Sequence, residues 1–333
     1  MAGTASLGVR SLIDGPRRPA RVIAAFPAAV YLELPAPGPE PRVLALVTPT
    51  AVRLPNAVVV TPDPSRDSRD PGARRAAVAD PGPLTAAVAG SGPHSSAPHS
   101  SGPHGSGPYG SAAPGSTEHG CAASVGEGAV QAGRMLVPVR RWWDPSPVLG
   151  PLSRVRIEQV CLLLEEMCAA SARRPGLDGH AGPAALAAHC AAGELADAVE
   201  IAEDLVGLGP GLTPSGDDVL AGLLLALRLL GGAIRGGTRA VWLADWLSAA
   251  VTGDARDRTT SVSATLLHCA ARGQAAAEVA AVLRAFAGQE PVAPAVTRLL
   301  AAGHTSGADL AWGLAAGSRA ALALAADVLG PVH

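Results

Sequence analysis

The sequence contains no lysine: all 26 of its basic Lys+Arg positions are arginine. That absence excludes Schiff-base chemistry on a carbonyl or on pyridoxal phosphate, and it excludes a P-loop lysine on a nucleotide phosphate. An anion would have to be held by arginine, by backbone N–H groups or by a metal. Aromatics are scarce at 3% and charged residues make up 16%, with a net charge of -2, which gives no electrostatic case for nucleic acid or an anionic membrane. The cysteines, Cys121, Cys161, Cys168, Cys190 and Cys269, are odd in number and include no C-x-x-C pair, so they spell neither a zinc site nor a closed disulfide framework. Residues 1–20 hold no apolar signal-peptide core, and the most apolar run, Val219 to Ile234, is interrupted by Arg228 and too short to span a bilayer. The expectation is a soluble cytoplasmic protein without an export signal or a membrane span. Its 333 residues, 48% of them apolar, suffice for two domains with cores of their own.

Composition changes along the chain. Residues 1–60 and 121–150 read as a small antiparallel β-domain: Val22, Ala24 and Phe26, then Val30, Leu32 and Leu34, alternate with other residues. RVLALVTPTAVRLPNAVVV adds β-branched runs punctuated by prolines, and GEGAVQAGRMLVPVRRWWDP adds two more strands around Gln131-Ala132-Gly133. The pair Trp142-Trp143 reads as a core or interface anchor. Between these parts, residues 61–120 form a Pro/Ser/Gly/His-rich insertion with little apolar to bury, in which a Ser/Gly-Pro-His unit recurs with His94, His99 and His104; it is expected to be disordered. From 151 to 333 the pattern is helical, as in Ile157, Val160, Cys161, Leu164 and Met167, whose spacing marks one buried face. The fold class expected is α+β.

The stretch GLGPGLTPSGDD, Gly207 to Asp218, places four glycines and two prolines before one helix. One reading is helix capping, since Ser215 and Asp218 fit the S/T-x-x-D/E box. Capping does not call for Gly209, Gly211 and Gly216, however. A Gly-rich loop leading into a helix N-terminus gathers N–H groups and makes an anion cradle, with Thr213 and Ser215 adding hydroxyls. A second helix start echoes the first: Ser306-Gly307-x-Asp309 repeats Ser215-Gly216-x-Asp218, and Gly313 falls where Gly222 does. Between them, TGDARDRTTSVSATLL offers Arg258, Thr259 and Thr260, either as part of a polar pocket or as an ordinary solvated turn. Carboxylates beside an anion are unfavourable, so Asp218 and Asp309 are assigned to caps and Asp217 is left as acid/base group or as ligand of a divalent cation such as Mg2+. No other cofactor is called for. His304, in the echo, is a second catalytic candidate.

GLGPGLTPSGDDVLAGLL, TTSVSATLL and GHTSGADLAWGL together resemble three blocks of a bacterial family that includes the AllH subunit of oxamate carbamoyltransferase. The resemblance covers most of residues 125–320. It implies reversible carbamoyl transfer between oxalurate and phosphate, in allantoin breakdown, by a complex of several different subunits. The substrates would be small anions and the partners other protein subunits. Two alternatives stay open: a non-catalytic subunit that binds a small carboxylate or completes the complex, and a metal-dependent hydrolase or phosphotransferase using Asp217, Asp218 and Asp309.

Overall fold

The computed structural model describes residues 1–62 except 36, 37, 39 and 41, residue 84, and residues 122–326. The insertion expected over 61–120, with its histidines, therefore lies outside the described residues apart from Thr61, Pro62 and Leu84. Thr61 ends a strand, and Leu84 is buried against the β-part, its N–H bonded to Pro27 O at 3.0 Å.

The β-part is a closed eight-stranded barrel, which corrects the expectation of a small antiparallel β-domain within the α+β class. The strands are β1 (Ala2–Ser6), β2 (Arg18–Phe26), β3 (Ala29–Leu34), β4 (Arg42–Val47), β5 (Ala57–Thr61), β6 (Ala123–Gly126), β7 (Ala129–Ala132) and β8 (Met135–Trp143), closing in the order β1-β5-β4-β3-β2-β6-β7-β8. Two of the pairings are parallel: β4 with β5, and β1 with β8. The reason for the correction is that alternation reports which face of a strand is buried and says nothing of its neighbour's direction. β1 carries the closure: it pairs antiparallel with β5 on one side and parallel with β8 on the other, with a register shift between Gly3 and Thr4. A closed sheet leaves no exposed edge.

Leu32, Leu44, Leu46, Val58 and Val125 fill the barrel with Ile13, which comes from the short helix α1 (Arg10–Ile13). The apolar run RVLALV of β4 does not alternate because both its faces are covered. Leu44 and Leu46 point into the barrel, while Ala45 and Val47 join Ala57 and Val59 in a second buried cluster. Trp142 is half-buried against the barrel core with the Arg10 guanidinium 5.4 Å from its ring, and Arg53 lies 5.7 Å from the ring of Trp143.

The remaining elements are helices: α2 (Arg154–Ala170), α3 (Ala181–Ala192), α4 (Leu195–Leu205), α5 (Ser215–Ala233), α6 (Thr238–Gly253), α7 (Ala255–Arg258), α8 (Ser261–Ala271), α9 (Ala277–Phe286), α10 (Val292–Leu300) and α11 (Ser306–Ala326). Start signals are local: Ser153 accepts from Arg156 N at 3.2 Å to open α2, and Thr260 accepts from Ser263 N at 3.0 Å to open α8. None of the helices among the described residues is long and apolar enough to cross a membrane. At the centre of the bundle lies α5, buried nearly all round from Ser215 to Leu227. Barrel and helices are stitched together by Ala277 N to Arg53 O at 3.0 Å, Ala275 N to Pro145 O at 2.9 Å and Ser261 Oγ to Glu33 at 2.6 Å.

The two echoed helix starts pack on each other. A Cβ on Gly222 of α5 would come within 2.3 Å of Leu310 O of α11, and one on Gly313 of α11 within 2.1 Å of Val219 O of α5. Each glycine thus admits the backbone three residues before the other, about two turns from where its own helix begins.

Candidate functional site

Three backbone N–H groups at each of the two helix starts are bonded within the protein. On α5, Gly216 N donates to Leu208 O at 2.9 Å, and Asp217 N and Asp218 N both donate to Pro214 O; on α11, Gly307 N donates to Ala302 O, and Ala308 N and Asp309 N to Thr305 O. The glycines follow from the same packing. A Cβ on Gly216 would sit 2.0 Å from Leu205 O, one on Gly307 2.0 Å from Leu299 O, and one on Gly207 2.1 Å from Arg258 O. Gly209, at φ +113°, would bring a Cβ to 3.0 Å from Ser215 N, whereas Gly211, at φ +101°, has nothing within 4 Å of that position. Pro214 is the N-cap of α5 and makes no side-chain cap bond, so Ser215 is the first helical residue and Asp218 lies a turn inside the helix.

Adjacent aspartates on α5 face different partners, because consecutive helical residues are about 100° apart around the axis. Asp217, 1% exposed, accepts three hydrogen bonds: Gly207 N at 2.8 Å on Oδ1, and Thr259 Oγ1 at 2.5 Å and Ser263 Oγ at 2.7 Å on Oδ2. It ties the Gly-rich loop to the start of α8. Thr260 donates its hydroxyl to Leu212 O at 2.6 Å, and Arg258 turns back to Glu203 O. Arg258, Thr259 and Thr260 are therefore directed to α4, to α5 and to the loop respectively.

Asp218 faces a cavity of about 280 Å³ between the barrel and the helices. Tyr31, Val47, Ala51 and Leu54 line it from the barrel side, and Thr213, Asp218, Ala221, Gln274, Val279, Ser306 and Leu310 from the helical side. No arginine is among the described residues that line it. The Asp218 carboxyl is buried, and this pushes its pKa up to about 8; hydrogen bonds from Ser306 and Thr213 oppose the rise and the charge of Asp309 adds to it. Asp218 Oδ2 and Gln274 Oε1 have no hydrogen-bond partner among the described residues. Burial also raises the Tyr31 phenol.

The echo is reciprocal at this point. The Ser306 hydroxyl of the other helix works against the raised pKa of Asp218 and the Ser215 hydroxyl against that of Asp309, while Oδ2 of each carboxyl has no hydrogen-bond partner among the described residues. Thr213 and Ser306 hydroxyls stand 3.1 Å apart, and those of Ser215 and Thr305 3.5 Å. Asp309, fully buried, also accepts the Gly176 N–H at 2.8 Å, and burial raises its pKa despite those donors. Of the residues singled out from sequence, Thr213, Asp218 and Ser306 share the cavity wall, and Ser215 and Asp309 lie just behind it. His304 is exposed on the turn before α11. The cavity's further polar groups, Gln274 and Tyr31, belong to no motif; each is an isolated polar residue placed by packing, so the sequence carried no local signal for them.

The three carboxylates of the metal-hydrolase alternative do not converge: Asp217 points to Thr259 and Ser263, Asp309 to Gly176 and Ser215, and Asp218 to the cavity. Among the described residues the one cluster of metal-ligating type is His189, Glu194 and Asp197, at the α3–α4 junction.

No solved structure matches the chain. Residues 205–318 match the family model described as oxamate carbamoyltransferase subunit AllH. That segment, about a third of the chain, runs from the end of α4 through both echoed helix starts and includes every residue of the helical part that lines the cavity.

Proposed function

We propose that this chain is a subunit of a carbamoyltransferase-type enzyme and that its barrel–helix cavity receives the carbamoyl or ureido end of a small substrate such as oxalurate. One observation carries the reading: Asp218 and Gln274 line one apolar cavity, and the buried Asp218 Oδ2 and Gln274 Oε1 have no hydrogen-bond partner among the described residues. A buried polar atom without a partner is costly, so a ligand that supplies the missing bonds is favoured. With a pKa near 8 the carboxyl is mostly protonated at pH 7 and can donate, whereas the Gln oxygen can only accept. A ureido group offers both complements, a carbonyl oxygen and N–H groups. The absence of arginine from the lining argues against a bare anion occupying the interior, so the carboxylate end of the substrate faces the mouth.

In this reading Asp218 is the acid. When phosphate oxygen attacks the carbamoyl carbon and the C–N bond breaks, the neutral carboxyl hands its proton to the departing nitrogen, in the manner of a carboxyl held neutral by an apolar site. Thr213 and Ser306 orient it. Asp217, with all three of its bonds made inside the protein, holds the loop that carries Thr213. A second reading, an assembly subunit, is favoured by Trp242 and Trp246, a T-shaped pair on α6 that stays 51% and 53% exposed.

Titration calorimetry with oxalurate and oxalate separates these readings. Oxalurate should bind more tightly than oxalate, which lacks the ureido group, and Asp218→Ala should remove that preference. Equal affinities, or a preference that survives Asp218→Ala, would overturn the proposal.

A further inference from the structure

A second cavity, of about 440 Å³, is lined by residues of α2, α3, α10 and α11 and of segment 173–178. Its floor is apolar: Ala187, Leu300, Ala308, Ala315 and Ala316, with the indole of Trp312. Its rim carries Arg173, Arg174 and Arg319 against the carboxylates Glu165 and Asp178. Two of these guanidinium groups are committed. Arg319 grips Glu165 with two bonds, at 2.7 and 2.5 Å, and Arg173 donates to Gly303 O at 2.5 Å. Arg174 has neither a hydrogen bond nor an ion pair among the described residues, although it lines the same cavity. Cys168, also on the wall, is no nucleophile: burial, and after it the charge of Glu165, pushes its thiol up to about 11.

We infer that this second cavity is a binding site for an organic anion with a flat apolar body, a carboxylate or phosphate ester whose body lies on the Trp312 and alanine floor and whose charge is met by Arg174. The geometry supports each half. An indole beside small alanine side chains leaves a broad apolar surface, and a flat ring gains contact on it that a bare ion cannot. An unpaired guanidinium beside apolar surface gives a charge-assisted bond at a fixed place, and its fork suits the two oxygens of a carboxylate or phosphate. Glu165 does not compete, because Arg319 already neutralises it. The site differs from the first cavity chemically: three arginines face two carboxylates, Glu165 and Asp178, whereas the described lining of the first holds no arginine. It is joined to it mechanically: the segment bearing Arg173 and Arg174 also supplies the Gly176 N–H to Asp309, and the Arg173 bond ends on Gly303, which lines the first cavity. The inference does not depend on the carbamoyl reading.

The test uses the full chain with phenylphosphate, benzoate and inorganic phosphate, followed by calorimetry and by tryptophan fluorescence, with Trp312→Phe to identify the reporting indole. Phenylphosphate or benzoate should bind and quench the Trp312 signal, and whichever binds identifies the head group. Arg174→Ala, at an exposed position without partners among the described residues, should fold normally and weaken binding about tenfold or more, the cost of a lost charge-assisted bond. Asp218→Asn should leave this binding unchanged, which keeps the outcome separate from that of the oxalurate experiment. Inorganic phosphate binding as tightly as phenylphosphate, affinity unchanged in Arg174→Ala, or no binding of either aromatic anion at millimolar concentration would each overturn the inference.

Discussion

The starts of α5 and α11 share one sequence pattern and differ in what covers it. Both place a glycine where an added Cβ would lie 2.0 Å from a carbonyl oxygen, both bury an aspartate three residues after the first serine, and in each a hydroxyl of the other start works against the raised pKa of that aspartate. Asp309 is closed over by the Gly176 N–H, whereas Asp218 is left open to the cavity by the barrel wall opposite it. The barrel makes the difference. It stands off from Asp218 where segment 171–178 presses on Asp309, so one of two equivalent carboxyls becomes available to a ligand.

The comparison breaks most easily at the helix crossing. Gly313→Ala brings a Cβ to 2.1 Å from Val219 O, and Gly222→Ala one to 2.3 Å from Leu310 O. Backbone cannot yield as a side-chain tip can, so each should cost about 3 kcal/mol or more, read as a lowered midpoint in chemical unfolding. Ala221→Gly, one position along the same helix and without such a contact to relieve, should cost only about 1 kcal/mol. If the two crossing-glycine variants unfold like wild type, the two starts are not held by this packing.

Next in size is the contrast between neighbouring aspartates. Asp217→Ala strands the Gly207 N–H and two hydroxyls in the interior and should cost about 3 kcal/mol, whereas Asp218→Ala removes a carboxyl that burial already disfavours. The sign with pH follows from the raised pKa. A carboxyl whose pKa is higher folded than unfolded favours the native state when it is protonated, and that contribution is lost as pH rises from the unfolded value of 3.8 towards about 8. Asp218→Asn, which cannot titrate, should therefore gain stability relative to wild type across that interval, with most of the gain present by pH 8. A difference that is flat with pH would place the Asp218 pKa near its ordinary value and remove the neutral acid from the proposed mechanism.

The smallest effect separates the glycines of the loop itself. Gly211→Ala meets no atom within 4 Å and pays only for φ +101°, on the order of 1 kcal/mol, whereas Gly207→Ala would collide with Arg258 O at 2.1 Å. Thermal unfolding of the two variants, each against wild type, measures the gap directly. Equal losses would mean that the loop is constrained by dihedral angle alone.

Much of the helical part was legible because apolar spacing is a local property that burial enforces: Ile157, Val160, Cys161 and Leu164 do line the core. The echo was legible too, since serine, glycine and aspartate at fixed offsets are visible without a structure. The reason for its glycines was not. A Gly-rich helix start supports an anion cradle and a tight crossing equally well from sequence, and only the structure places Leu205 O, Leu299 O and Leu310 O against Gly216, Gly307 and Gly222. The sharing of roles between Asp217 and Asp218 was hidden for the same reason, because it depends on which side of α5 meets the barrel.

By itself, then, the sequence determined composition and periodicity: a lysine-free chain, a β-part followed by helices, two matching helix starts, and the absence of a long uninterrupted apolar span. The tertiary structure alone decided the closure of eight strands with two parallel pairings, the reciprocal glycine crossing of α5 and α11, and the meeting of Asp218, Gln274 and Tyr31 around one cavity. The physical reason is one of range. Periodicity and turn chemistry act over a few residues, whereas strand direction, backbone contact and burial of a carboxyl are set by chain segments far apart in sequence.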